Sequence, residues 1–194
     1  MELIKAIKTR RSIRKYKDKK VPVGLLKKVI ESARWAPSVH NIQPWKCIVP
    51  SQQTKKNIIN ALKKRHGKEP LIVRMTMRKS IEIIEAAPEI ILVYNNCMLS
   101  KKVIKGGRLY YQNSLSWETQ SVACAIQNML LTAHALRLGM TWLGIPVFRE
   151  NDINTVIETT ERLVAILSLG YPDEKPSPLP KKSFLKTADI KSRV

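Results

Sequence analysis

The stretch "WETQSVACAIQNMLLTAHALRL", Trp117 to Leu138, decides how the rest of the chain is read. No proline or glycine interrupts it, so its composition predicts one long helix, with Gly139 as the natural cap at its C-terminal end. Val122, Ala123, Ala125, Ile126, Met129, Leu130, Leu131, Ala133 and Leu136 fall nearly all round that helix. A helix apolar on every side has to be covered on every side. It belongs at the centre of a domain or at an interface between subunits. A bilayer is excluded as the cover, because Ser121 to Leu138 is too short and includes Gln127, Asn128 and His134.

Shorter elements flank it. "ELIKAIKT" (2–9) predicts a helix with Leu3, Ile4 and Ile7 on one face, and "VGLLKKVIESARWA" (23–36) a second helix stopped by Pro37. "KCIVP" (46–50), "EIILVYN" (89–95), "MTWLGIPV" (140–147) and "RLVAILSLGY" (162–171) read as strands. Ser51 to Arg65 reads as a helix capped by Ser51, residues 66–74 as a loop, Met75 to Ala87 as a helix and Asn151 to Thr160 as another. Residues 96–115 carry no clear period. After Tyr171 four prolines in "PDEKPSPLPKKSF" predict an extended arm. The order shows no strict βαβ alternation, which points to an α+β three-layer fold with helices around a small sheet.

The chain has 194 residues, the length of one sizeable domain, taken here as a single domain over 1–194 with an arm over 170–194. Lys and Arg number 35 against 15 Asp and Glu, a formal charge of +20. That field attracts phosphates and other polyanions. No zinc-finger spacing and no aromatic-interleaved basic module accompanies it, so a specific nucleic-acid partner is not expected. Cys47, Cys97 and Cys124 are odd in number and lack a CxxC pair, which argues against disulfides and structural zinc. Their apolar neighbours suggest buried thiols, and a reducing cytoplasm fits. The first residues lack the apolar core of a secretory signal.

Four constellations could carry chemistry. "TRRSIRKY" (9–16) places Arg10, Arg11, Ser12 and Arg14 together, the donor set a phosphate monoester needs, although a solvated basic loop has the same composition. "APSVHNIQPW" (36–45) offers Asn41 and Gln43 as amide readers in a proline-stiffened loop. "WLGIP" (142–146) has Gly144, where backbone could approach a ligand closely. Lys181 and Lys182 sit on the arm. There is no Walker A, GxGxxG or GxSxG motif, and His40, His66 and His134 lack metal-ligand spacing.

In order, "RRSIRKY", "APSVHNIQPW", "QNMLLTAHALRLGMTWLGIP" and "LGYPDEKPSPLPKK" resemble the signatures of the FMN-dependent nitroreductase family. The resemblance covers almost the whole chain. It implies a small central, mostly antiparallel sheet surrounded by helices, and a homodimer with FMN at the subunit interface. Carried over by position, Arg10, Arg11, Ser12 and Arg14 would hold the phosphate, ribityl and pyrimidine parts of the flavin. Pro37, Ser38, Val39 and Asn41 of a second copy would line the ring. Gly144 and Ile145 would offer backbone groups near flavin N5, and Lys181 and Lys182 would reach the phosphate. The implied reaction is hydride transfer from NADH or NADPH through flavin N5 to a nitroaromatic, quinone or similar small-molecule acceptor, in ping-pong fashion. No side chain is required as acid or nucleophile; Arg14 would tune the ring. Dehalogenation or flavin breakdown on the same fold, and nucleic-acid binding through the +20 charge, are the competing expectations.

Overall fold

In the computed structural model the described residues are 2–64, 69–103 and 107–183. Among them are seven α-helices and four strands: α1 Leu3–Thr9, α2 Val23–Ala33, β1 Trp45–Ile48, α3 Gln52–Lys63, α4 Leu71–Ala86, β2 Glu89–Asn95, α5 Met98–Val103, α6 Arg108–Ala135, β3 Gly139–Leu143, α7 Glu150–Ile157 and β4 Arg162–Gly170. The strands form one sheet in the order β1-β2-β4-β3, with every neighbouring pair antiparallel.

The sheet is buried on both faces because its central strands are apolar at consecutive positions rather than alternate ones. Ile91 and Val93 of β2 join Ala165, Leu167 and Leu169 of β4 under α2 and α6. Ile90, Leu92 and Tyr94 point the other way, with Ile166, into a second core shared with α3, α4 and α7. A bulge keeps both faces matched: Val93 pairs with Ala165 but Tyr94 pairs with Leu163, so Val164 is the extra residue. The expected α+β three-layer arrangement around a small, mostly antiparallel sheet is what the chain forms.

Several expectations are corrected. The central helix starts at Arg108, nine positions before the expected Trp117, because nothing in 108–116 breaks a helix even though the apolar period is weak there. Its cap is Arg137 rather than Gly139. Leu138 N–H donates to Ala133 C=O (2.8 Å) and Arg137 N–H to His134 C=O (3.0 Å), a Schellman closure with Arg137 at φ 62°. α4 begins at Leu71 behind Pro70, so 71–74 are helical and not loop. Residues 66–68 lie outside the described residues. α5, in the unread 96–115 region, is held by Glu118 of α6, whose Oε1 accepts the Leu99 N–H at 2.6 Å. Ser51 caps α3 as expected, its Oγ accepting the Thr54 N–H at 3.1 Å.

Two surface expectations also change. Of the cysteines, Cys97 is buried, Cys47 is half-buried and Cys124 is exposed. Burial pushes the Cys47 thiol up to about 11, so it stays protonated at neutral pH. The face of α6 carrying Trp117, Gln120, Cys124 and Gln127 is uncovered within one chain, despite its apolar surroundings. The face of α1 is open as well: Leu3 is 63% exposed and Ile7 50%. Both stretches of surface have a reason to meet another chain.

Candidate functional site

The arginine segment between α1 and α2 is pinned in extended form along the free edge of β3. Ser12 bridges Met140 in parallel, and Ile13 N–H donates to Met140 C=O at 3.3 Å. The approach is that close only because Gly139 has no side chain; a Cβ there would lie 2.7 Å from the Ile13 Cβ. Gly170 does the same service one strand over, where a Cβ would lie 2.8 Å from Tyr16 Cδ1 and 2.6 Å from Pro88 Cδ. Tyr16 then donates its hydroxyl to Ile13 C=O (2.5 Å) and accepts from Ser168 Oγ (2.7 Å), a hydroxyl near the C-terminal end of β4. Burial raises the Tyr16 pKa, so the phenol remains a donor.

The arm after β4 returns antiparallel to this segment. Tyr16 pairs with Pro172, Lys17 N–H donates to Tyr171 C=O (2.9 Å), and Asp173 N–H to Lys15 C=O (3.0 Å). Glu174 Oε1 accepts the backbone N–H of Arg14 (2.5 Å) and of Lys15 (3.1 Å). The arm therefore sets off along the arginine segment from Tyr16 towards Arg10. Lys181 and Lys182 lie further along it and are exposed.

An extended segment shows alternate side chains to opposite sides. Arg10, Ser12 and Arg14 share one parity. Among the described residues none of the three arginines of the segment makes an ion pair. Arg10 and Arg11 are half-buried and Arg14 is exposed; burial, and then the neighbouring Arg11 charge, lower the pKa of Arg10. Arg14 Nη1 reaches only the Ser12 carbonyl, at 3.4 Å. Arg11 is turned away from them. Its Nη1 donates to the carbonyls of Lys8 and Arg10, each at 2.9 Å, closing the C-terminal end of α1.

The loop 36–45 is held by strain and by α6. His40, Asn41 and Gln43 have φ of 46°, 54° and 47°, left-handed values that side-chain-bearing residues adopt at a cost of about 1–2 kcal/mol each. Ser38 Oγ accepts the Gln43 N–H (3.0 Å), and Val39 N–H donates to Ser121 Oγ of α6 (3.1 Å). Gln43 Nε2 donates to Asn41 Oδ1 at 3.3 Å, so the two amides expected to read a ligand are joined to each other. Strained left-handed residues fixed this firmly are a mark of a preorganised site. Pro37, Ser38 and Val39 border an open cavity of about 470 Å³ with Trp117, Gln120 and Cys124 on the uncovered face of α6.

Gly144 follows β3 and opens a 3-10 turn, Ile145–Arg149. Its φ of −88° needs no glycine, and a Cβ there would meet nothing within 4 Å. The missing side chain is thus not required by this chain's packing; it leaves open space beside the backbone. Pro146 has no N–H and the Val147 N–H donates to Gly144 C=O (3.1 Å), so Ile145 is the one residue at the start of this turn whose N–H has no partner inside it.

Within one chain these groups do not converge. Arg10, Ser12 and Arg14 line neither the cavity beside Arg11 nor the one beside Pro37, Ser38 and Val39.

Residues 7–171 match the nitroreductase family model. The chain belongs to the nitroreductase family. It is 32% identical over 180 residues to a Methanothermobacter thermautotrophicus protein provisionally named NADH dehydrogenase/NAD(P)H nitroreductase, covering 91% of this chain and 80% of that one. It is 27% identical to the iodotyrosine deiodinase of Thermotoga neapolitana, over 92% of each chain. Its fold matches that of a Desulfovibrio desulfuricans nitroreductase-type protein solved in complex with FMN, with a TM-score of 0.75, 24% identity, and 99% and 98% of the two chains covered. Among the described residues no helix is long and apolar enough to cross a membrane, and no group of His, Cys, Asp and Glu could hold a metal ion.

The sequence missed Glu174 as the residue that ties the arm to the arginine segment. Glu174 sits in an arm whose pairing cannot be read from composition.

Proposed function

We propose that this nitroreductase-family chain is an FMN-dependent NAD(P)H oxidoreductase that reduces a nitroaromatic, quinone or similar small acceptor, working as a homodimer with two shared sites. The observation that carries the reading is the arginine segment. Arg10, Ser12 and Arg14 share one side of a segment pinned to the edge of β3, and neither guanidinium makes an ion pair among the described residues. That donor set fits a phosphorylated, electron-rich cofactor and is costly to keep without one. FMN, when bound, supplies the two-electron chemistry, accepting a hydride from the nicotinamide and passing it to the acceptor.

The chain's own residues bind and tune. Arg10 and Ser12 meet the phosphate and ribityl part, and Lys181 and Lys182 close on it from the arm. Arg14 lies further along β3, towards Gly144, and places a cation beside the pyrimidine edge of the ring, where it favours the reduced anion. Arg11 supports them from behind by fixing the end of α1. Gly144 and Ile145 give the ring a backbone surface with open space beside it. Pro37, Ser38, Val39 and Asn41 of the second copy cover the ring's outer part, already held in shape by Ser121. The relative named NADH dehydrogenase/NAD(P)H nitroreductase and the fold neighbour solved with FMN support donor and cofactor.

The test is an absorbance spectrum of the purified protein followed by anaerobic titration with NADH and NADPH. Flavin bands that bleach on addition of donor and recover with a nitroaromatic or quinone are expected. Colourless protein that also fails to take up added FMN would sink the reading. Reductive dehalogenation is a second reading, favoured by the iodotyrosine deiodinase relative. It predicts that reduced protein is reoxidised by an iodinated phenol but not by nitroaromatics or quinones.

A further inference from the structure

The arginine segment has a second side. Arg11 and Lys17, of the parity opposite to Arg10, Ser12 and Arg14, border with Thr9 of α1 a groove of about 810 Å³. The far wall is His134 and Arg137 at the end of α6, and the rim is Asp173 to Pro176 of the arm, including Lys175. Arg10, Ser12 and Arg14 do not line it.

Four cations line this groove against two carboxylates, Asp173 and Glu174. Glu174 is already engaged by the N–H groups of Arg14 and Lys15. Among the described residues Arg11, Lys17, Arg137 and Lys175 form no ion pair. The two carboxylates offset only half of the four positive charges, and burial together with Arg10 and Arg11 lowers the pKa of His134 in the wall. Arg137 adds an independent sign. It occupies the left-handed closing position of α6, φ 62°, where glycine carries no steric penalty and a side chain costs about 1–2 kcal/mol. An arginine kept there brings a guanidinium to the groove wall at the expense of helix closure.

We infer that this groove is an anion site separate from the flavin site and binds a phosphomonoester. Its volume suits a nucleotide-sized ligand, and guanidinium with ammonium donors around an open cleft match a phosphate dianion. Two sources share that chemistry: the 2′-phosphate of an NADPH donor, which rests on the oxidoreductase reading above, and a free phosphate ester, which does not.

The experiment uses the purified protein in low-salt buffer, titrated calorimetrically with adenosine 2′,5′-bisphosphate and with inorganic phosphate. Wild type is compared with Arg137→Gly, which suits the left-handed backbone, and with Lys175→Ala. Binding to wild type, weakened roughly tenfold in each variant with the flavin spectrum unchanged, is expected; that is about what one charge-assisted hydrogen bond is worth. A KM for NADPH that rises in the variants while that for NADH stays put assigns the site to the donor's 2′-phosphate. Unchanged KM for both, with phosphate binding still lost, assigns it to a free ester. No binding to wild type, or equal binding to all three proteins, overturns the site. Loss of flavin from Arg137→Gly also overturns it, since the groove would then be part of the flavin site. Protein that never carries flavin refutes the oxidoreductase reading but leaves the phosphate titration readable.

Discussion

Ile13 lies so close over Gly139 that a methyl group on the glycine would come within 2.8 Å of three Ile13 side-chain carbons. The contact sets the height of the arginine segment above β3. Gly139→Ala should therefore lift the segment, lower stability by about 1–3 kcal/mol as overpacking does, and weaken flavin binding with it. Gly144→Ala has open space and should leave stability within about 0.5 kcal/mol while weakening flavin binding. Thermal melts of flavin-free protein beside flavin titrations separate the two. Equal stability loss in both variants would contradict the roles given to these glycines.

Arg10 and Arg14 are the test of the flavin assignment. Each charge-assisted hydrogen bond contributes about 1.5–3 kcal/mol, so the double Ala variant should bind FMN at least a hundredfold more weakly. Arg14→Ala alone should keep more flavin but lower its reduction potential, because the cation favouring the reduced anion is gone. A dialysed protein that stays fully yellow in the double variant would refute the assignment.

Cys124 tests the dimer. It is exposed on the uncovered face of α6 beside Trp117 and Gln120. Cys124→Glu is tolerated by one chain but puts a charge where a second copy would pack. Light scattering should show two 22.2 kDa chains for wild type and one for the variant, with flavin lost in step. A variant that remains a yellow dimer would show that the second copy docks elsewhere.

His134 gives a pH dependence. Its Nε2 is 2.8 Å from Thr9 Oγ1, whose own proton goes to Lys5 C=O at 2.7 Å, so the ring donates from Nε2. Burial, then Arg10 and Arg11, lower its pKa below the ordinary 6.5. A depressed base is protonated more readily in the unfolded chain, so stability falls as pH drops through 6.5 and is fully reduced below the folded value. His134→Gln keeps an N–H donor and should flatten that part of a melting-temperature profile between pH 7 and pH 5. Parallel profiles for the two proteins would remove His134 as the cause.

Much of the fold was legible because its signals are local. "EIILVYN" is a continuous β-favouring run, and it is β2 residue for residue. Ser51 before an amphipathic run marked the start of α3. The start of α6 was not legible, because 108–116 is polar on most sides and helical mainly by continuation of the helix behind it. The family signatures exposed the arginines, but not which way each points. Parity separates Arg11 from Arg10 only once the Ser12–Met140 bridge shows the segment to be extended, and that bridge joins residues far apart in the chain. Gly139 was read as a cap because a glycine after a helix commonly is one; its use as a landing place for Ile13 is a tertiary fact.

The arm and the arginine segment also fix an order of events. Arg14 and Glu174 are 160 positions apart, and Tyr16 and Ser168 are 152. Contacts of such long sequence separation form late, since the intervening chain must be ordered first. On the ribosome the arginines emerge early, while β3, β4 and the arm that hold them are still unmade. Cofactor loading is then a step that follows synthesis of those elements. In refolding, the far-ultraviolet signal should recover before flavin fluorescence is quenched.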